Sequence, residues 1–181
     1  MKTGFSTNAF TKFSLLETIE IISDVGYDGL EIVADTPHAF LPLSNEKLKQ
    51  IKSSLENRKL LVSNINANTV LGWNLENGND EKFEPSLSNK NETLRKWRVG
   101  YTKKAIEVAA ELSAPSVCIT SGIKNAEIFE NEMTQINKSL SEILEFAEKN
   151  SILICMEYEP GLLIETSQDV FEVSKNFKNL G

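Results

Sequence analysis

The chain has 181 residues, of which 40% are hydrophobic and 25% are charged, and its formal net charge is −7. This composition is typical of a globular protein rather than a disordered one, and the length predicts one domain over residues 1–181. The negative charge argues against a dedicated nucleic-acid-binding protein and against attachment to an anionic membrane surface.

The two cysteines and the N-terminus bear on the cellular compartment. Cys118 and Cys155 lie in separate apolar runs and form no CxxC motif, so we expect buried free thiols, as in a reducing cytoplasm. No long apolar segment follows Met1, which predicts neither a signal peptide nor a membrane span. The sequence therefore predicts a cytoplasmic protein with no nucleic-acid or membrane partner.

Strand-like runs alternate with helical patterns along the chain. The predicted strands lie at residues 2–6, 30–33, 60–66, 116–120 and 152–157. Apolar residues at helical spacing predict helices around residues 15–25, 48–55, 97–112, 133–147 and 170–177. Ser14 and Ser167 are candidate N-caps, Gly26 is a candidate stop, and the second helix begins near Ser44.

Residues 67–90 show no clear period and are rich in Asn, Ser and Gly. Loops of this length are uncommon inside compact domains and are often functional, although a mobile surface insertion is the alternative. Trp73 and Phe83 favour a loop that covers another part of the protein, because large aromatic residues are poorly suited to a solvated linker.

The strict alternation of strands and helices predicts a parallel sheet with right-handed crossovers. Polar residues alternate with apolar ones near the strand ends, as Glu31, Asn66 and Cys118 do, which suits the mouth of a (β/α)8 TIM barrel better than an open sheet. Such a barrel takes about 250 residues for eight units. We therefore expect a barrel truncated after its fifth βα unit, with a five-stranded open sheet as the alternative.

Two carboxylates follow the last predicted strand, Glu157 and Glu159, and a Pro-Gly break separates them from Glu165. An ionised carboxylate at the end of a buried strand needs a partner, usually a metal ion, a cation or a substrate. This segment is therefore the first place to look for function. Glu157 is expected to be either functional or an interior ion-pair partner.

Three motifs resemble the xylose isomerase-like TIM barrels, the sugar phosphate isomerase/epimerase superfamily. They are Gly26-Tyr27-Asp28-Gly29-Leu30-Glu31, similar to a G-[FY]-D-G-[VL]-E pattern; Ala109-Ala110-Glu111-Leu112-Ser113-Ala114, close to A-x-x-L-G-A with Ser for Gly; and Glu159-Pro160 with Glu165 six residues on. The resemblance covers the whole chain, as the first five βα units of the family.

The resemblance implies that Glu159 binds a divalent metal, Mn2+, Mg2+ or Co2+, and also acts as an acid or base. Family members complete the site with Asp, His and Glu after the sixth, seventh and eighth strands, positions that this chain does not contain. We therefore expect the 181-residue chain alone to be inactive. The alternative role for Glu159 is to bind a nearby helix N-terminus or an arginine.

Other expected contacts to substrate are His38, Asn66 and Glu165. His38 is otherwise a plain loop histidine, and Glu165 otherwise caps the last helix. The expected reaction is isomerisation or epimerisation of a small carbohydrate or keto-polyol by proton transfer next to a carbonyl. The alternatives are a keto-inositol dehydratase-type lyase and a non-catalytic fragment whose fifth strand pairs with another chain. A homo-oligomer remains open.

Overall fold

A computed structural model describes residues 1–125, 129–177 and 179–181. Its centre is a five-stranded parallel sheet in which each strand pairs with the next one in the chain. The strands are β1 (Gly4–Ser6), β2 (Gly29–Val33), β3 (Leu61–Asn66), β4 (Ser116–Ile119) and β5 (Leu153–Met156). A doubly wound sheet reverses its strand order at a switch point. The unbroken order here confirms the TIM-barrel type of sheet.

Helices connect these strands, and their ends follow local capping rules. The helices are α1 (Leu15–Val25), α2 (Asn45–Arg58), α3 (Leu71–Asn77), α4 (Glu92–Glu111), α5 (Phe129–Lys149) and α6 (Ser167–Ser174), with a short 3-10 helix at Thr7–Phe10. Ser14 and Ser44 are N-caps, and Gly26 ends α1 with a φ of 97°, as predicted. The prediction of Ser167 as the last N-cap was wrong: Thr166 caps α6 in a capping box with Asp169.

The prediction of a segment without periodic structure at residues 67–90 was wrong in part, because α3 lies within it. The residue before this helix, Val70, makes no side-chain cap. The Asp35 carboxylate, from the loop after β2, accepts instead from the backbone amides of Leu71 (2.7 Å) and Gly72 (2.9 Å). Because the group that caps α3 comes from another loop, no residue close to α3 in the sequence indicates that a helix begins there.

Aromatic side chains pack α3 against α4. The ring centroids of Trp73 and Trp97 lie 5.6 Å apart, and Trp97 stacks on Tyr101 at 5.2 Å. Phe40, from the loop after β2, lies 5.5 Å from Tyr101, and its ring occupies the space where a Cβ on Gly72 would lie. The expectation that Trp73 covers another part of the protein therefore agrees with its packing.

The two faces of the sheet differ in environment. The face that packs on the helices is a continuous apolar core, with Leu30, Ile65, Val117 and Ile154 fully buried. Alternate residues point to the opposite, concave face, where polar side chains are only partly covered and Leu153 is 46% exposed. In a barrel this face is the interior, so any site at the barrel axis lies on it.

The chain end adds one parallel connection to the sheet. Leu180 forms a parallel bridge with Ile154, the amide of Gly181 donates to the Ile154 carbonyl (2.8 Å), and the Gly181 carbonyl accepts from the amide of Met156 (2.9 Å). Along this stretch the outer edge of β5 is occupied by the chain itself. Among the described residues, no strand pairs with the outer edge of β1.

Candidate functional site

A hydrogen-bonded row of polar side chains crosses the concave face. Glu31 on β2 accepts from the hydroxyl of Ser6 (2.7 Å) and from the side-chain amides of Asn64 (2.8 Å) and Asn66 (3.4 Å). The Asn64 oxygen in turn accepts from the hydroxyl of Ser116 on β4 (2.9 Å). The predicted convergence of polar residues from successive strands is therefore present, and Glu31 is its centre.

Glu157, one residue beyond β5, lies on the same face. Its Oε2 accepts from the side-chain amide of Asn68 and from the thiol of Cys118 (3.4 Å). Its backbone amide continues the sheet by donating to the Ile119 carbonyl (2.9 Å). Within the described ranges no cation forms an ion pair with Glu157, so the alternative of an interior ion pair finds no partner there.

Asn68 links the loop after β3 to the end of β5, and sequence reasoning missed it. Its carbonyl accepts from Arg98 (2.8 Å) and from the hydroxyl of Thr120 (3.1 Å), while its side-chain amide donates to Glu157. Its Oδ1 is buried and has no hydrogen-bond partner among the described residues. An unpaired buried acceptor is costly, which makes this oxygen a candidate contact for a ligand or an ordered water.

Arg98 of α4 fixes the backbone of this loop. It is 1% exposed, and its Nη2 donates to the carbonyls of Ala67 (2.6 Å) and Asn68 (2.8 Å). Burial lowers the pKa of the guanidinium to about 10. Arg98 lies three residues before Tyr101 on the buried stripe of α4, so an arginine at an apolar position was the signal that could have identified it.

Glu159 lies in a segment that docks against the loop after β4. In this segment Leu162 bridges Ile123, and the amide of Leu163 donates to the Gly122 carbonyl (2.8 Å). Glu159 is half-buried, and among the residues that the structure describes no side chain donates to its carboxylate. Within the described residues, neither a helix N-terminus nor an arginine donates to this carboxylate.

Glu165 stabilises the same segment. Its carboxylate accepts from the amide of Gly161 (3.2 Å) and pairs with Lys124 (3.3 Å). The Gly161 amide, followed by Lys124, lowers the pKa of Glu165. Gly161 has a φ of 88°, a conformation that favours glycine, so the Pro-Gly break that was visible in the sequence is a turn held by Glu165.

His38 lies apart from the polar row. It is 1% exposed, and its Nε2 donates to the Phe10 carbonyl (3.2 Å). Its Nδ1 is buried and has no partner in the part of the chain that the structure describes. Burial lowers the pKa of the imidazole. Across the described parts of the chain, no hydrogen bond or ion pair joins any two of His38, Asn66, Glu159 and Glu165.

The burial of the two cysteines differs from the prediction. Both are free, as expected, but Cys118 and Cys155 are only partly buried because they face the concave side of the sheet rather than the core. Burial, followed by the charge of Glu157, raises the pKa of the Cys118 thiol, and burial also raises that of Cys155. Apolar flanking residues indicate a buried strand but not which face a residue occupies.

The side-chain oxygens on this face are of the type that binds a hard divalent cation, but the described residues bring too few of them together for a metal site. Carboxylate and amide oxygens are the ligands that Mg2+ and Mn2+ prefer. Within the described ranges, however, no three His, Cys, Asp or Glu side chains form an arrangement that could hold a metal. Glu159 could supply one ligand, and a complete metal site needs further ligands.

Comparisons with known proteins agree with this fold. The chain is 28% identical to the uncharacterised protein MJ1311 of Methanocaldococcus jannaschii over all of its length and 59% of that protein, and 27% identical to fructoselysine 3-epimerase of Shigella flexneri over 87% of its length and 54% of that enzyme. It therefore spans little more than half of these relatives.

A solved structure of a D-tagatose 3-epimerase-like protein superposes with a TM-score of 0.79 and 26% identity, covering 100% of this chain and 63% of that one. None of the helices in the described part of the chain is both long and apolar enough to span a bilayer. The sequence profile of the xylose isomerase-like TIM barrels matches residues 19–181. The chain belongs to the xylose isomerase-like TIM-barrel family.

Proposed function

We propose that this chain forms the first five βα units of a metal-dependent sugar isomerase or epimerase that transfers a proton next to a carbonyl. The observation that carries the proposal is the Glu159 carboxylate, half-buried after β5 and without a donor among the described residues. The relatives of the chain include a fructoselysine 3-epimerase, which supports a ketose or a ketose derivative as the substrate.

Glu159 is the proposed metal ligand and base. A bound Mn2+, Mg2+ or Co2+ ion would polarise the substrate carbonyl. Glu159, which follows β5, would take the proton from the carbon next to the carbonyl. Return of this proton to the former carbonyl carbon would give isomerisation, whereas protonation of the original carbon on its opposite face by a second acid would give epimerisation. Further ligands from beyond the five units would complete the metal site.

Other residues on the concave face would bind and orient the sugar. Asn66, with its amide already directed to Glu31, is a proposed contact for a substrate hydroxyl. Glu157 keeps one carboxylate oxygen free of protein donors in the described structure, because Asn68 and Cys118 both bind Oε2. Glu165 and His38 remain proposed contacts, and each would have to exchange or extend its present hydrogen bonds to reach a substrate.

The test uses the protein expressed from its complete reading frame. Ketohexoses such as tagatose, and fructoselysine, are incubated with the protein and Mn2+ in D2O, and deuterium incorporation next to the carbonyl is followed by NMR. We expect exchange with the wild type and a loss of at least about 100-fold with Glu159→Gln, the range expected for removal of a general base.

The matched control is Glu172→Gln, at an exposed residue on α6 that pairs with Lys175 and Gln168. It should keep both Mn2+ binding and exchange. Unchanged Mn2+ affinity in Glu159→Gln would refute the ligand assignment, and full exchange activity in this variant would refute its role as base. A product that has lost water would instead support the lyase alternative.

A further inference from the structure

The two cysteines of the chain are neighbours on the concave face. Cys118 of β4 and Cys155 of β5 are register partners in the parallel pairing of these strands. Adjacent strands are about 4.8 Å apart, so in-register side chains on one face lie within reach of a common small ligand. Both thiols are free and partly exposed.

Their direction follows from the pleat and from a contact. Cys155 alternates with the buried Ile154 and Met156, and Cys118 alternates with the buried Val117 and Ile119, so both thiols point away from the helix-covered core. The thiol of Cys118 donates to Glu157 Oε2 at 3.4 Å, which places it on the concave face directly.

We propose that Cys118 and Cys155 form a dithiol site for trivalent arsenic compounds, at the floor of the concave face. The reaction needs no oxidant: an arsenous group, R–As(OH)2, exchanges both As–O bonds for As–S bonds, and the two thiol protons leave in two molecules of water. The site is independent of the metal and substrate assigned to Glu159.

Chelation by two fixed thiols explains why this pair should bind arsenic when separate thiols bind it weakly. Once one sulfur is bound, the second is held beside the arsenic at an effective concentration of about millimolar or higher. The raised pKa values of both thiols disfavour reactions that need a free thiolate, such as peroxide oxidation. Exchange with an arsenous group consumes neutral thiols and therefore remains open to them.

Occupancy would also change the neighbouring carboxylate. Arsenic at Cys118 removes the proton that this thiol donates to Glu157, so that of the two donors to Oε2 only Asn68 remains. Binding of a thiophilic ligand to the dithiol would therefore change the hydrogen bonding of Glu157 on the concave face.

The experiment is titration of the full chain with phenylarsine oxide, followed by mass spectrometry under native conditions with a phosphine reductant. We expect one arsenical per chain, stable to excess glutathione and removed by 2,3-dimercaptopropanol. Because the chain contains only two cysteines, the adduct identifies its own ligands. Absence of an adduct, or an adduct removed by glutathione, would overturn the proposal.

Two single variants give the sharper result. Cys118→Ser and Cys155→Ser should each weaken binding by about 100-fold or more, because either change destroys the chelate. Glu172→Gln, on α6, leaves both thiols and Glu157 unchanged and is expected to bind as the wild type does. Equal binding in the wild type and in either serine variant would contradict the dithiol site.

A second measurement keeps the proposal testable if a serine variant fails to fold. In the wild type, phenylarsine oxide should protect both cysteines together from iodoacetamide. The same chain in concentrated urea should bind the arsenical more weakly, since the sheet no longer holds the thiols side by side. Protection of one cysteine alone, or tighter binding in urea, would overturn the proposal.

Discussion

The loops after β2 and β3 contrast with the segment after β5. In the first region the Asp35 carboxylate accepts four hydrogen bonds, from Thr36, Thr69, Leu71 and Gly72. Arg98 donates to three backbone carbonyls of the same region. In the second, the Glu159 carboxylate receives none from the described residues, although its backbone carbonyl accepts from the amide of Leu162. Charged groups whose hydrogen bonds are filled by the protein stabilise a structure, whereas a charged group left without donors remains available to a ligand.

Among the variants that test this contrast, the largest effect on stability is expected for a change at Arg98. Arg98→Met removes the guanidinium that donates to the carbonyls of Ala67, Asn68 and Thr69, so we expect the free energy of unfolding to fall by about 3 kcal/mol. Urea denaturation measures the change. Arg95→Met is the control on the same helix, because Arg95 is less buried and binds one carbonyl, that of Asn89 at 3.0 Å. A stabilised Arg98→Met protein would show that burial of the cation costs more than its hydrogen bonds contribute.

Asp35 should give the next largest effect. Asp35→Ala removes the cap of α3 and the bonds to Thr36 and Thr69, and we expect a loss of about 2 kcal/mol, the upper range for loss of a helix cap. Asp35→Asn keeps an acceptor oxygen and should lose less.

Hydrogen exchange at the amides of Leu71 and Gly72 locates the change, since both amides bind Asp35 directly. Asp24→Ala is the matched control, because Asp24 is an exposed residue in α1 that pairs with Arg58. If the amides of α3 were equally protected in Asp35→Ala, the helix would not depend on this distant cap.

The parts of the fold that the sequence predicted depend on nearby residues. Ser14 binds the amide of Glu17 and Gly26 ends the same helix, so both ends of α1 can be read within one window. The cap of α3 comes from Asp35, and the residue that fixes Glu157 is Asn68, 89 positions away. Periodicity and capping rules use only residues that are close together in the sequence. They therefore cannot predict such contacts, which form only once the strands have paired.

The candidate site shows the same division. Glu159 and Glu165 could be singled out because they lie beside a strand end and a Pro-Gly break. Asn68 could not be assigned a role, because an asparagine in a loop is an ordinary residue there, and Arg98 offered only its apolar position on α4 as a signal. Burial gives them their significance: Asn68 is 7% exposed and Arg98 is 1% exposed.

His38 combines the two situations. Its Nε2 has a hydrogen-bond partner, whereas its Nδ1 has none among the described residues. Burial lowers its pKa, so the unfolded chain takes up a proton before the folded one does. Stability should therefore be full above the ordinary histidine pKa of about 6.5 and should fall as the pH drops through the lowered value.

Because His38 is the only histidine, a single imidazole resonance in the NMR spectrum reports this titration without assignment work. The same titration in concentrated urea provides the reference for the unfolded chain. A folded-state pKa at or above this reference would mean that the ring is not buried as a neutral group.

The smallest effect on stability is expected at Glu159. Because no described residue donates to its carboxylate, Glu159→Gln should change the free energy of unfolding by no more than about 0.5 kcal/mol. Glu31→Gln is the matched variant: it alters a carboxylate that accepts from Ser6, Asn64 and Asn66, and it should cost about 1–3 kcal/mol. Parallel urea titrations compare the two. A larger loss at Glu159 than at Glu31 would mean that Glu159 supports the fold, and an unpaired carboxylate would then no longer distinguish the end of β5 as the site of ligand binding.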